Sequence, residues 1–109
     1  MLVTIYRPKS VSEEPECAIT HWSIRELPNQ GRHLVGVIPE NMHHGRVTSK
    51  IMEYQDRTIT TRSGRRYHLT GEPGGHQNGE YVWQAWCLSN RIDPSDAVDV
   101  TEEYAVTIN

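Results

Sequence analysis

The stretch RTITTRSGRRYHLTGEPG, residues 57–74, decides the fold. Its first half is β-branched and its second half carries Tyr67 and Leu69, with Ser63-Gly64 between them, the composition of two short strands joined by a tight turn. On a period of two, Arg57, Ile59 and Thr61 share one face and Thr58, Thr60 and Arg62 the other. Beyond the turn, Arg65, Tyr67 and Leu69 oppose Arg66, His68 and Thr70. The arginines are therefore split between two faces or crowd around the Ser-Gly tip. Upstream, RVTSKIMEY (46–54) is rich enough in β-branched residues to be a third strand, turning at Gln55-Asp56 into the hairpin. Three consecutive strands with short reversals predict an antiparallel meander.

Working outward, RHLVGVIP (32–39) is a short apolar run of the kind a central strand makes, ended by Pro39, and ENMHHG (40–45) reads as a loop. CAITHWSIREL (17–27) is ambiguous by spacing, but Thr, Trp and Ile favour a strand, closed by a turn at Pro28-Asn29-Gln30-Gly31. LVTIY (2–6) reads as a further short strand and KSVSEEPE (9–16) as a loop. On the other side, GEPGGHQNG is a loop, and EYVWQAWCLSNR places Val82, Ala85, Trp86 and Ser89 at helical spacing with no proline. A helix over about 79–90 follows, led in by Asn78-Gly79-Glu80 and stopped at Asn90. In VDVTEEYAVTI the residues Val98, Val100, Tyr104, Val106 and Ile108 all fall on even positions, which predicts a final strand. The fold expected is α+β, an antiparallel sheet of about five strands with one helix packed on one face. Trp22, Val35, Val37, Ile51, Ile59, Tyr67, Leu69, Val82 and Trp86 are the expected core.

A chain of 109 residues is the size of one domain, 1–109, able to bury a core without staples. Phenylalanine is absent, so three Trp and five Tyr must supply the bulk of that core. There is no run of eighteen apolar residues and no basic region followed by an apolar run at the start, so a cytoplasmic protein with no membrane partner is expected. Cys17 and Cys87 fit no CxxC pattern, and reduced, partly buried thiols are expected.

Charge is unevenly distributed. Residues 46–70 hold six basic and two acidic side chains, and residues 71–109 hold one basic and seven acidic. The order GRVTSKI, then the hairpin T-x-SG-x-x-Y-x-L, then YVWQAW resembles small uncharacterised proteins encoded in phages and prophages of proteobacteria, over about residues 45–105. That resemblance implies a phage or mobile-element context and transfers no catalytic residue.

Two binding surfaces follow. Asp99, Glu102 and Glu103 in the acidic C-terminal third can present phosphate-like charge to a basic host protein, as an inhibitor of a host defence system would. Alternatively Arg62, Arg65 and Arg66 can contact phosphates of a nucleic acid while Tyr67 stacks on a base. For both, the plain alternative is a solvated face. No chemistry is legible. His43-His44 are adjacent and rarely both ligate one ion, and no HExxH or paired CxxC occurs, so neither metal nor cofactor is expected. Cys87 lies between Trp86 and Leu88 where packing is its ordinary role, and Ser63 lacks the strand-to-helix elbow of a catalytic serine. The expected protein is not an enzyme. An enzymatic reading would need a pocket joining Cys87 or His68 to another titratable group.

Overall fold

The computed structural model describes residues 8–105. Seven strands, β1 (Glu16–Leu27), β2 (Gly31–Ile38), β3 (Asn41–Val47), β4 (Ile51–Gln55), β5 (Thr58–Thr61), β6 (Arg66–Leu69) and β7 (Val98–Asp99), accompany one helix, α1 (Gln77–Ser89). The strand order is β3-β2-β1-β6-β5-β4, with β7 added to β1. The class is α+β, as expected, with more strands than about five and one parallel pair, β1 with β6.

The long first strand makes this arrangement possible. Its Glu16–Ile19 half runs beside β6, while Thr20–Leu27 pairs antiparallel with β2. Between them the register slips at Thr20/Ser23, and His21 takes φ +47°, so the strand changes direction by a bulge. The sheet thereby curls, and its inner side gathers Ile19, Trp22, Ile24, Leu34, Ile59, Tyr67 and Leu69 into one cluster. A second cluster, Leu27, Val35, Trp83 and Cys87, lies between the sheet's outer side and α1. Strand β2 separates the two: Leu34 faces one and Val35 the other, and every residue from His33 to Ile38 is buried. A continuous apolar run is what a strand covered on both faces requires. Of the expected core, Ile51 and Trp86 are partly buried, and Trp83 at 1% exposure is the deeper tryptophan of the helix.

Glycine sets how closely α1 approaches. A Cβ at Gly45 would stand 2.3 Å from the Asn78 carbonyl oxygen, and one at Gly79 would stand 3.2 Å from the Gly36 oxygen. The first turn of α1 rests directly on the β2–β3 backbone, fixed there by Asn78 Nδ2 donating to the Met42 carbonyl at 2.8 Å. The helix begins two residues earlier than the spacing predicts. His76, in extended conformation, is its N-cap and accepts the Asn78 N–H through Nδ1 at 3.1 Å.

Four local expectations are corrected. Residues 41–45, expected as loop, belong to β3, because Asn41 pairs with Ile38 and Gly45 with Val37 of β2, the histidines falling in the irregularity between these pairs, while Gly45 sits under the helix. The expected strand 46–54 breaks at Thr48, whose buried hydroxyl accepts the Leu34 N–H at 3.1 Å and turns the chain from one half of the sheet to the other. The tight turn before β5 is Asp56-Arg57, both at positive φ, so Arg57 lies in the turn and outside the strand. The tail forms only β7 before a 3-10 turn at Thr101–Glu103, because side chains take over the ladder's bonds. Thr101 Oγ1 accepts the Ile24 N–H at 3.0 Å and Asp99 Oδ1 accepts the Thr101 N–H at 2.9 Å. Tyr104 still reaches the inner cluster. The expected strand at 2–6 and the last residues of the tail strand, 106–108, lie outside the described residues.

Gly45→Ala is expected to lower stability by about 1–3 kcal/mol, since the atom it would meet is helix backbone that moves only with the helix. Urea unfolding followed by far-UV circular dichroism measures it, with Gly75→Ala, where no heavy atom lies within 4 Å, as the mild comparison.

Candidate functional site

The basic hairpin does not present its charges together. Arg65 is 4% exposed and Tyr67 3% exposed, leaving Arg62 and Arg66 on the surface. Arg65 donates through Nε to the Glu14 carbonyl at 2.9 Å and through Nη2 to the Lys9 carbonyl, tying the segment before β1 to the hairpin. Arg66 pairs with Glu16 at 3.1 Å. Arg57 spends its guanidinium on the Leu69 and Gly71 carbonyls, the latter at 2.8 Å, holding the exit of β6. The three-residue turn Arg62-Ser63-Gly64 is closed by Gly64 at φ +95°, and this pulls Arg65 back toward the interior.

The acids stand differently. Asp99, Glu102 and Glu103 are all exposed and line one open groove of about 790 Å³ between β7 and the loop at Gly74-Gly75. Val98, 58% exposed, lies beside them. Glu103 is held by Arg32 at 3.0 Å, and the same guanidinium meets Glu26 at 2.8 Å and the Tyr104 hydroxyl at 3.3 Å. These partners, Tyr104 first, hold Arg32 still further in its charged form. Among the described residues, Asp99 and Glu102 have no cation within 4.0 Å. The groove's own cation, Arg25, lies over the Trp83 ring at 5.1 Å and is bound to Glu80 at 2.5 Å. That hydrogen bond is the largest influence holding the Glu80 carboxyl below its usual range, against an opposing effect of burial. Arg25 is thus neutralised from the helix side, and the groove stays acidic.

The other titratable groups form no cleft. His68 Nε2 meets Glu16 Oε1 at 2.7 Å and its Nδ1 meets Thr58 Oγ1 at 3.2 Å, on the open outer side of the sheet. This contact, ahead of Arg66, lowers the Glu16 carboxyl. Cys87 is buried on the sheet-facing side of α1, and burial raises its thiol. Cys17 is also raised by burial, with Arg46 Nη1 at 3.4 Å from its sulfur acting in the opposite direction. Burial and then Arg46 lower His44. Among the described residues no group of three or more His, Cys, Asp or Glu is placed to hold a metal ion, and no helix is long and apolar enough to cross a membrane.

Protein-family models, curated proteins and solved structures give no match to this chain. The site is therefore built from its own residues. Sequence reasoning placed the acids of the groove but not Arg25, Val98 or the Gly74-Gly75 wall. The even-position pattern places Val98 on the apolar face of a final strand, and Arg25 carries no local motif, since its partner Glu80 is fifty-five positions away.

Arg65→Gln is expected to cost about 2 kcal/mol, because two inward carbonyls lose a charged donor, whereas Arg62→Gln stays near neutral. Urea midpoints of the two variants distinguish them. A lowered carboxyl contributes stability above its unfolded pKa and loses it as pH falls through the folded value. The Glu80–Arg25 increment, modest for a partly exposed pair, is thus expected to vanish in acid below the ordinary glutamate range. Glu80→Gln should flatten the urea midpoint against pH over that window.

Proposed function

We infer that this protein is a non-enzymatic binding module whose acidic groove engages a basic segment of a protein partner. The observation that carries the reading is the pair Asp99 and Glu102, with no ion-pair partner among the described residues, beside exposed Val98 in a groove whose arginine among those residues, Arg25, is already held by Glu80. Exposed carboxylates without counterions attract a cationic partner over about a Debye length, roughly 8 Å at physiological salt. The apolar Val98 gives such a partner something to cover once it arrives. The resemblance of the hairpin and tryptophan helix to phage and prophage proteins extends the reading. The partner is then a host protein, and inhibition of a host defence system is the sharper form of the activity. Nucleic-acid binding by the hairpin, the alternative surface, has only Arg62 and Arg66 exposed, and Arg66 is already paired with Glu16.

The test is an affinity capture from bacterial lysate with tagged wild type and an Asp99→Lys/Glu102→Lys variant, each with and without nuclease, read by mass spectrometry. A protein recovered after nuclease by wild type, lost with the variant and weakened by salt is the expected result. Recovery that ignores the charge reversal, or that disappears on nuclease treatment, overturns the reading.

A further inference from the structure

Four large apolar side chains are exposed among the described residues: Met52, Tyr81, Leu88 and Val98. Val98 belongs to the acidic groove and Met52 is the single one on β4, whereas Tyr81 and Leu88 share the outer face of α1. They are 47% and 81% exposed and seven positions apart, so about 20° separates them around the helix. Gln84 and Ala85 lie between them at helical spacing. Arg91, at φ +58°, then reverses the chain, and the Ile92 N–H donates to the Cys87 carbonyl at 2.9 Å. Ile92 and Pro94 thereby join Tyr81, Gln84, Ala85 and Leu88 along one open groove of about 370 Å³, and none of these lining residues is charged. Charge sits at the two ends. Glu80 flanks the N-terminal end and Arg91 the C-terminal end, both exposed, and helical spacing puts them on the same flank. Among the described residues Arg91 has no carboxylate within 4.0 Å. Glu80 is held by Arg25, whose cross-strand neighbour on β7 is Asp99, so the three together keep one negative charge at that end.

We propose that this face of α1 is the contact between two copies of the chain, their helices packed antiparallel about a two-fold axis that passes between Gln84 and Ala85. A two-fold contact uses the same patch on both copies, so the patch must complement itself. This one does. Centring the axis there sets each Tyr81 opposite Leu88 of the second copy, with Ala85, the smallest residue of the face, near the crossing. The charges at the ends fix the direction. An antiparallel pair brings each Arg91 to the Glu80 flank of the other copy, twice over, and each cation meets the net negative charge left by Arg25, Glu80 and Asp99. A parallel pair would set Arg91 against Arg91. A strongly charged partner finds nothing along the uncharged groove to match, whereas a second copy matches both its apolar length and its opposite ends. One helix pair covers less than the roughly 1,200 Å² at which stable interfaces begin, so the dimer forms at high concentration and dissociates on dilution. It leaves the acidic groove beside β7 open and does not depend on what that groove binds.

The experiment follows the full chain by sedimentation equilibrium from about 10 μM to about 1 mM, with ¹⁵N amide shifts recorded over the same dilution series. The mass is expected to rise from the 12.5 kDa of one chain toward twice that value, with a dissociation constant on the order of 100 μM. The shifts that change with concentration should centre on residues 81–92. Leu88→Glu, at a position 81% exposed where the core is untouched, is expected to weaken the dimer at least about tenfold. Arg91→Glu, which sets like charges together at both ends, is expected to weaken it roughly fivefold. Far-UV circular dichroism checks that both variants keep the fold. A chain that stays monomeric at about 1 mM has this face covered by some other molecule, and that overturns the proposal. So do an association that either substitution leaves unchanged and shifts centred on Met52 or on residues 98–103.

Discussion

The contact between the first turn of α1 and the β2–β3 backbone governs the rest of the molecule. Gly45 and Gly79 are the two places where a side chain would push helix and sheet apart. With them, the helix lies close enough for Trp83 and Cys87 to close over Leu27 and Val35. Once that face of β2 is covered, its other face is free to serve the inner cluster through Leu34, and one strand supports two cores. The same approach turns Glu80 toward Arg25, so the electrostatic character of the distant groove depends on where the helix sits.

Charge in this chain follows a division that composition alone hides. Half of the basic middle of the sequence is taken up inside: Arg46 and Arg65 are buried and Arg57 is occupied with backbone carbonyls, while Lys50, Arg62 and Arg66 stay exposed. The acidic C-terminal third stays outside, where Asp93 caps the 3-10 turn at Pro94–Asp96 and Asp99 Oδ1 accepts the Thr101 N–H at the start of the next. Arginine suits the inward role because its planar fork satisfies several carbonyls at once while its stem packs as an apolar chain. A net charge of -3 thus belongs to a surface more acidic than the total suggests.

Much of the architecture was legible because local chemistry and tertiary structure agree. The Ser63-Gly64 turn, the Pro28–Gly31 turn, the two-sided apolar run of β2 and the helix around Val82 all carry signals within a few residues. What was not legible depends on distant partners. His43, His44 and Gly45 look like a loop until a helix thirty positions later needs the space that Gly45 leaves. The even-numbered apolar pattern after Val98 describes a strand correctly as a pattern, but Asp99 and Thr101 side chains satisfy the bonds a ladder would use. The candidate acids were readable from charge alone. Tyr67 is legible as core, but Arg65 reads as surface, because alternation identifies which residues share a face and not whether a charged one among them is drawn inward.

The parallel pairing of β1 with β6 joins Glu16 to Arg66 and Ile19 to Leu69, residues some fifty positions apart. Every other strand pair in the sheet except that with β7 is a near-neighbour reversal. A chain built this way assembles two local meanders cheaply and then waits on one costly loop closure, since non-local pairing must meet its entropy before contacts reward it. On a ribosome the first meander, β1 through β3, is available well before β6 emerges. Its inner face, with Trp22, Ile24 and Leu34, remains open until the second meander arrives to cover it. The bulge at His21 is therefore a temporal joint as well as a spatial one, dividing the strand into a part that pairs early and a part that pairs last.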